Sequence, residues 1–168
     1  MNAPDVADVV VVGAGIAGLC AAGEIAAAGL RVLVLDKARG VGGRMATRRL
    51  GGAVCDHGAQ FFTVRGADFG GIVAAAEAAG VAARWCTGFV QAPGDGGPAA
   101  ATDGHDRWRG ARGMTDLPKW LAARLDAERC TIRTGAKAAA VAADAGVVRV
   151  ALEADGGTET IAARGAIL

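Results

Sequence analysis

The chain lacks a charge imbalance: 18 Lys and Arg stand against 17 Asp and Glu, for a formal net charge of +1. That balance gives no electrostatic ground for a nucleic acid or an anionic membrane as partner. A C-x-x-C pair is also missing. Cys20, Cys55, Cys86 and Cys130 are widely spaced, which fits a reducing cytoplasm better than a disulfide framework or a zinc site. No apolar run reaches bilayer length. The small and apolar stretch Val9 to Gly23 closes at Glu24 after about 15 residues, where about 20 are needed. Its preceding flank carries Asp5 and Asp8 rather than cations, so neither an export signal nor a transmembrane helix is expected. Asp103, His105 and Asp106 crowd together without a fourth ligand at a recognisable spacing, and read as a solvated turn rather than a metal centre.

What the chain has is a core. At 168 residues and 52% hydrophobic, it is long enough for one well-packed domain and short for two. The organising stretch is Asp8 to Arg49. Val9 to Val12 is a wholly apolar, β-branched run, as a parallel strand buried on both faces requires. It leads into Gly13-Ala14-Gly15-Ile16-Ala17-Gly18, a G-x-G-x-x-G turn. Ile16, Leu19, Cys20, Gly23 and Ala27 then follow at helical spacing, with Gly29 in the position of a helix C-terminal glycine. Arg31 to Leu35 is a second apolar strand that ends on Asp36.

Strand, glycine turn, helix, strand and acid in this order make a dinucleotide fingerprint. Gly13 permits the tight turn, Gly15 lets backbone approach a diphosphate, and Gly18 lets the helix pack on the strand. The helix N-terminus, with Ala14 and Ala17 in the turn, offers amides and partial positive charge to phosphate. Asp36 suits the hydroxyls of an adenosine ribose and repels a 2′-phosphate, which opposes an NADP site despite nearby Lys37 and Arg39. A second glycine pair follows in Val41-Gly42-Gly43-Arg44-Met45. It is another place for backbone to meet phosphate, with the fork-shaped Arg44 cation beside it.

Farther on, Ala67 to Gly80 carries Phe69, Ile72, Val73 and Ala76 on one helical face. Val81 to Gln91 reads as a strand, Ala92 to Gly104 as a Pro- and Gly-rich loop, and His105 to Gly110 as a returning strand. Thr115 or Asp116 caps a helix with Pro118 in its first turn and Leu117, Trp120, Leu121 and Leu125 as its stripe. Thr131–Arg133, Ala136–Ala142, Val147–Leu152 and Thr158–Ala163 read as strands, turning at Asp144-Ala145-Gly146 and Asp155-Gly156-Gly157. Ala166-Ile167-Leu168 begins one more. The fold class is α/β: a Rossmann-like FAD/NAD(P)-binding domain with an antiparallel β-meander and part of a substrate domain.

The string DKARGVGGRM, followed by D-x-GAQFFT, resembles the renalase-like family within the flavin amine-oxidase superfamily. The matching positions are Asp36, Lys37, Gly42, Gly43, Arg44 and Met45, then Asp56, Gly58, Ala59, Gln60 and Phe61. The resemblance implies a non-covalently held FAD, with the backbone at Ala59 and Gln60 passing close to the flavin. It also implies that the segment Thr131 to Ala142 brings backbone to the adenine. Oxidation of reduced nicotinamide isomers is implied too, with O₂ as acceptor and NAD(P)⁺ and hydrogen peroxide as products. No acid–base residue is assigned, because hydride transfer to a flavin requires none; His57 is left outside the site. The family pattern continues well past Leu168, so the chain is expected to represent its N-terminal half. On this reading 1–65 hold the FAD-binding core, 66–112 part of a substrate domain, and 113–168 the return to the FAD domain. A flavin amine oxidase or a desaturase-like enzyme shares the same signature and is the nearest rival. A truncated, non-catalytic dinucleotide-binding fragment is the rival of another class.

Overall fold

The computed structural model describes residues 7–90, 94, 103–154 and 157–168. The chain opens with strand β1 (Val9–Val12), helix α1 (Ile16–Ala27) and strand β2 (Val32–Asp36). A 3₁₀ turn (Gly43–Met45) leads to β3 (Thr47–Leu50), β4 (Ala53–Asp56), α2 (Ala67–Ala78), β5 (Ala82–Thr87) and β6 (Asp106–Gly110). Helix α3 (Asp116–Arg124) precedes β7 (Cys130–Thr134), β8 (Ala138–Asp144), β9 (Val147–Ala154), β10 (Gly157–Ala163) and β11 (Gly165–Ile167). These elements form two compact units, Met1–Arg44 with Leu121–Leu168, and Met45–Trp120.

The first unit is built on a parallel sheet of order β11-β1-β2-β7. Side chains alternate across a strand, so the all-apolar β1 and β2 must be covered on both faces. Val10 and Leu35, with Val12 and Leu33 beside them, pack against Val150, Leu152 and Ala163 of the antiparallel meander β8-β9-β10 and against Ala136 just before it. Val11, Val32 and Val34 pack on the opposite side against Leu19 and Ala22 of α1, joined by Leu121 and Leu125. One strand pair therefore serves two cores.

The expected helix stop at Gly29 is a Schellman arrangement. Gly29 has φ +87°, its amide donates to Ala26 O at 2.9 Å, and the Leu30 amide donates to Ile25 O at 3.3 Å. Gly80 ends α2 in the same way, donating to Glu77 O while Val81 donates to Ala76 O. Ala145 and Gly146, both at positive φ, make the two-residue turn between β8 and β9. Asp155 and Gly156 of the expected turn at Asp155-Gly156-Gly157 and most of the loop Ala92 to Gly104 lie outside the described residues.

In the second unit, β3 pairs with β4 across Gly51 and Gly52, both at positive φ. The sequence reading had no strand at Thr47–Leu50, because both strands of this hairpin are largely exposed and show no apolar alternation. The strand expected over Val81 to Gln91 stops at Thr87, where Gly88 adopts φ +69°. Helix α2 buries Val73 and Ala76 on the expected stripe. The unit is held by a clasp of three segments. Thr47 N donates to Thr115 Oγ1 and Thr115 N donates to Thr47 Oγ1, while Asp56 Oδ1 accepts from Thr47 Oγ1 and Met114 N. That clasp keeps Met45 to Asp56 with Met114 and Thr115. The division by compactness therefore falls after Arg44 and Trp120, whereas the sequence reading divides the chain after Arg65 and Arg112.

At the start of β1, Asp8 Oδ2 accepts the Arg31 amide at 2.9 Å, with the Arg164 guanidinium 3.6 Å from Oδ1. The Arg31 amide bond, aided by the arginine charges, holds the Asp8 carboxyl below its ordinary value. A lowered folded value means its contribution is complete above the unfolded value and is lost as pH falls through the folded one. In acid titrations followed by circular dichroism, Asp8→Asn is expected to flatten the fall of stability below about pH 4. An unchanged slope would show that Asp8 carries no such linkage.

Candidate dinucleotide site

The site begins where β1 turns into α1. Gly13 sits at φ +112° and its amide donates to Leu35 O at 2.6 Å, so the turn is anchored to β2. Gly15 is the N-cap of α1 and, like every glycine, has no side chain to cap with; no acidic residue stands in the first turn. The first intrahelical bond runs from Leu19 N to Gly15 O. The amides of Ile16, Ala17 and Gly18 therefore lack helical acceptors and present a partial positive charge. Gly18 has no room for a side chain, since a Cβ there would lie 1.9 Å from Gly13 O.

Asp36, only 9% exposed, closes this turn. Its Oδ2 accepts the Ala14 amide and its Oδ1 the Ala38 amide, each at 2.7 Å. A carboxylate oxygen can accept twice, so each retains acceptor capacity for a further donor. Ala14 was expected among the cofactor-binding residues. Its amide is committed to Asp36, its carbonyl accepts the Gly42 amide at 2.9 Å, and its methyl is buried. Ala14 therefore joins the two glycine turns.

The second glycine pair is stitched to the first. Gly42, at φ +133°, forms a parallel bridge with Gly15, and a Cβ on Gly43 would lie 3.2 Å from the Gly15 Cα. Two glycine turns, 27 residues apart between Gly15 and Gly42 in number, thus meet backbone to backbone. Cavities of 580 and 430 Å³ adjoin them and share Val12 and Gly13. The larger is lined by Asp36, Lys37, Gly43 and Arg44, and by Leu35 with Ala136–Ala138. The smaller is lined by Gly15, by Ala17 and Gly18 of α1, and by Ile167 and Leu168. Lys37 and Arg44 are exposed and form no ion pair among the described residues.

The structure therefore brings together Gly13, Gly15, Ala17, Gly18, Asp36, Lys37, Gly42, Gly43 and Arg44. Ala59, half-buried, and the exposed Gln60 belong to the second unit. Asp56 of the resemblance serves the Thr47–Met114 clasp described above. Asp103 and Asp106 are engaged by Arg107 and by Thr87 Oγ1 respectively. Lys137 in the wall of the larger cavity was not singled out from the sequence. Its local string TGAKAAA carries no motif, and only the fold brings it beside Asp36.

With this geometry in hand, comparison with known proteins is specific at the N-terminus. Residues 11–66 match the NAD(P)-binding Rossmann-like domain family. A protein of Mycobacterium tuberculosis named as a flavin-containing monoamine oxidase, AofH, is 50% identical over 60 residues, 36% of this chain and 13% of that protein. A hydroxyneurosporene desaturase of Rubrivivax gelatinosus is 53% identical over 57 residues, 34% of this chain and 11% of the desaturase. The aligned stretches thus span about an eighth or less of those relatives. Among solved structures, AlpK is 26% identical with a TM-score of 0.63, covering 95% of this chain and 30% of its own. A double mutant of putrescine oxidase is 18% identical with a TM-score of 0.70, covering 96% and 57%; that likeness is one of fold.

The close helix–strand approach can be tested against helix propensity, which favours Ala over Gly by about 0.5–1 kcal/mol. At Gly23 a Cβ would make an ordinary 3.5 Å contact with Leu125 Cδ2, so Gly23→Ala should be neutral or stabilising. Gly18→Ala forces backbone against backbone and should cost about 1–3 kcal/mol despite the same propensity gain. Denaturant midpoints of the two variants decide this; equal midpoints would contradict the close approach.

Proposed function

We propose, from the premise that the chain carries an FAD/NAD(P)-binding domain of the flavin amine oxidase/desaturase superfamily, that it is the FAD-holding part of a flavin-dependent oxidoreductase. The observation that carries this reading is the second glycine pair bonded to the first. A turn with a bare helix N-terminus suits any dinucleotide. A second backbone approach beside it, with Arg44 at hand, suits the longer reach of an adenine–flavin dinucleotide. The cradle also fits in its chemistry. Gly15 presents no side chain, Gly43 at φ +53° would hold one only 3.2 Å from the Gly15 Cα, and the uncommitted acceptor capacity of Asp36 matches ribose hydroxyls.

On this reading the amides of Gly15, Ala17 and Gly18 hold the diphosphate, with Lys37 and Arg44 as its cations. Asp36 orients the ribose and disfavours a 2′-phosphate, which argues against NADP. Ala59 and Gln60 are assigned to the flavin by resemblance. When bound, FAD supplies hydride acceptance from a reduced substrate and its own reoxidation by O₂. The chain's residues supply binding and orientation, and no side chain here is assigned a proton.

The renalase-like resemblance makes reduced nicotinamide isomers the proposed substrates, with NAD(P)⁺ and hydrogen peroxide as products. The likeness to AofH keeps an amine oxidase as the second reading. A cytoplasmic location accords with the unpaired cysteines, and no helix among the described residues is long and apolar enough to cross a membrane. Turnover of dihydronicotinamide isomers against primary amines separates the two readings; amine turnover alone would overturn the first.

Gly15→Ala tests the cradle itself. At Gly15 φ is −76°, and a Cβ would meet nothing nearer than the Gly43 Cα at 4.0 Å, so the fold accommodates one. The variant is expected to melt like the wild type yet emerge colourless where the wild type carries flavin absorbance. Equal flavin content in both would place the cofactor elsewhere. A wild-type chain that takes up no flavin would favour the non-catalytic fragment.

A further inference from the structure

Among the cations of the 580 Å³ cavity, Lys137 is differently held. Lys37 and Arg44 form no ion pair among the described residues, as suits partners for a diphosphate. Lys137 is fixed to β9 at two points. Its carbonyl accepts the Glu153 amide at 2.9 Å, and its ammonium lies 2.7 Å from Glu153 Oε1. The same wall is tied to the end of β2, where the Ala136 amide donates to Asp36 O at 2.8 Å. Flanking Lys137 are Ala136 and Ala138, which with Val12 and Leu35 form the uncharged part of the lining.

An ammonium already paired with a carboxylate adds little attraction for phosphate. Next to an apolar wall it has another use. Its alkyl stem covers the edge of a flat ring, while the charged head lies against the ring's π face or donates to a ring nitrogen. A purine offers a larger face and more ring acceptors than a pyrimidine. We propose that Lys137 is a specificity-determining residue that selects a purine base in this cavity, with Glu153 as its positioning residue. The inference rests on the dinucleotide reading of the site.

Calorimetric titration of the full chain with ADP and with UDP tests it, since the two probes share the diphosphate and differ in the base. The wild type is expected to prefer ADP. Lys137→Ala should weaken ADP binding about fivefold while leaving UDP within about twofold, and Lys137→Arg should restore most of the loss. Glu153→Gln, which loosens the ammonium without removing it, should lower the ADP-to-UDP preference about twofold, and it carries the test if Lys137→Ala does not fold. Equal losses for both nucleotides, or no loss for either, overturn the role of Lys137 and leave the dinucleotide reading intact. A wild-type chain that binds neither probe overturns that reading, and the inference with it.

Discussion

The ligand-facing end of the first unit depends on the Asp36 carboxylate, which holds two backbone amides 24 residues apart, those of Ala14 and Ala38. Bonds from amide donors to a charged acceptor contribute about 1.5–3 kcal/mol each, and here they fix geometry as well. Through Ala14 the carboxylate sets the glycine turn, and through the Ala14 carbonyl that turn sets Gly42. The acid thus positions the phosphate-binding backbone before it meets any ribose. Asp36→Ala would leave the buried Ala14 amide without its partner, so a loss of ligand in that variant would mix two causes. Gly15 separates them, because a Cβ there would make only an ordinary 4.0 Å contact with the Gly43 Cα.

The sheet makes this arrangement stiff. Each residue of β1 is committed to one face or the other, Val10 toward the meander and Val11 toward α1. A shift of one residue would exchange the two sets. Both cores resist it, so the carboxyl ends of β1 and β2 keep Gly13 and Asp36 in fixed relation. The meander that supplies the second core also supplies Glu153, which reaches Lys137 at the wall of the larger cavity. Structural cover on one face of the sheet therefore also lines the cavity.

Much of this was legible in the sequence where one residue type satisfies one local demand. The change from the continuous apolar run of β1 to the helical spacing of α1 marked the fingerprint. Gly29 and Gly80 marked helix ends because positive φ is cheap only for glycine. Ala53 to Phe62 read as an extended segment, but its partner strand β3 did not, since exposed strands such as Thr47–Leu50 lack the alternation that reveals a buried face; Gly51-Gly52 was the one signal of the hairpin. Asp36 was identified as an acid at a strand end, but its bond to the Ala14 amide was not. Such a bond depends on how the turn folds back, and no spacing rule encodes it. The clasp of Asp56, Thr47 and Thr115 was hidden for the same reason, with its partners up to 68 residues apart.

On the proposed reading the two joined glycine turns grip one diphosphate. Amide chemical shifts of the isotope-labelled chain, followed during titration with ADP, test it most directly. The largest changes are expected at Gly13, Gly15, Ala17, Gly18 and Gly43. Changes concentrated instead at the opposite ends of the strands, around Arg31, Glu128 and Thr131, would contradict it.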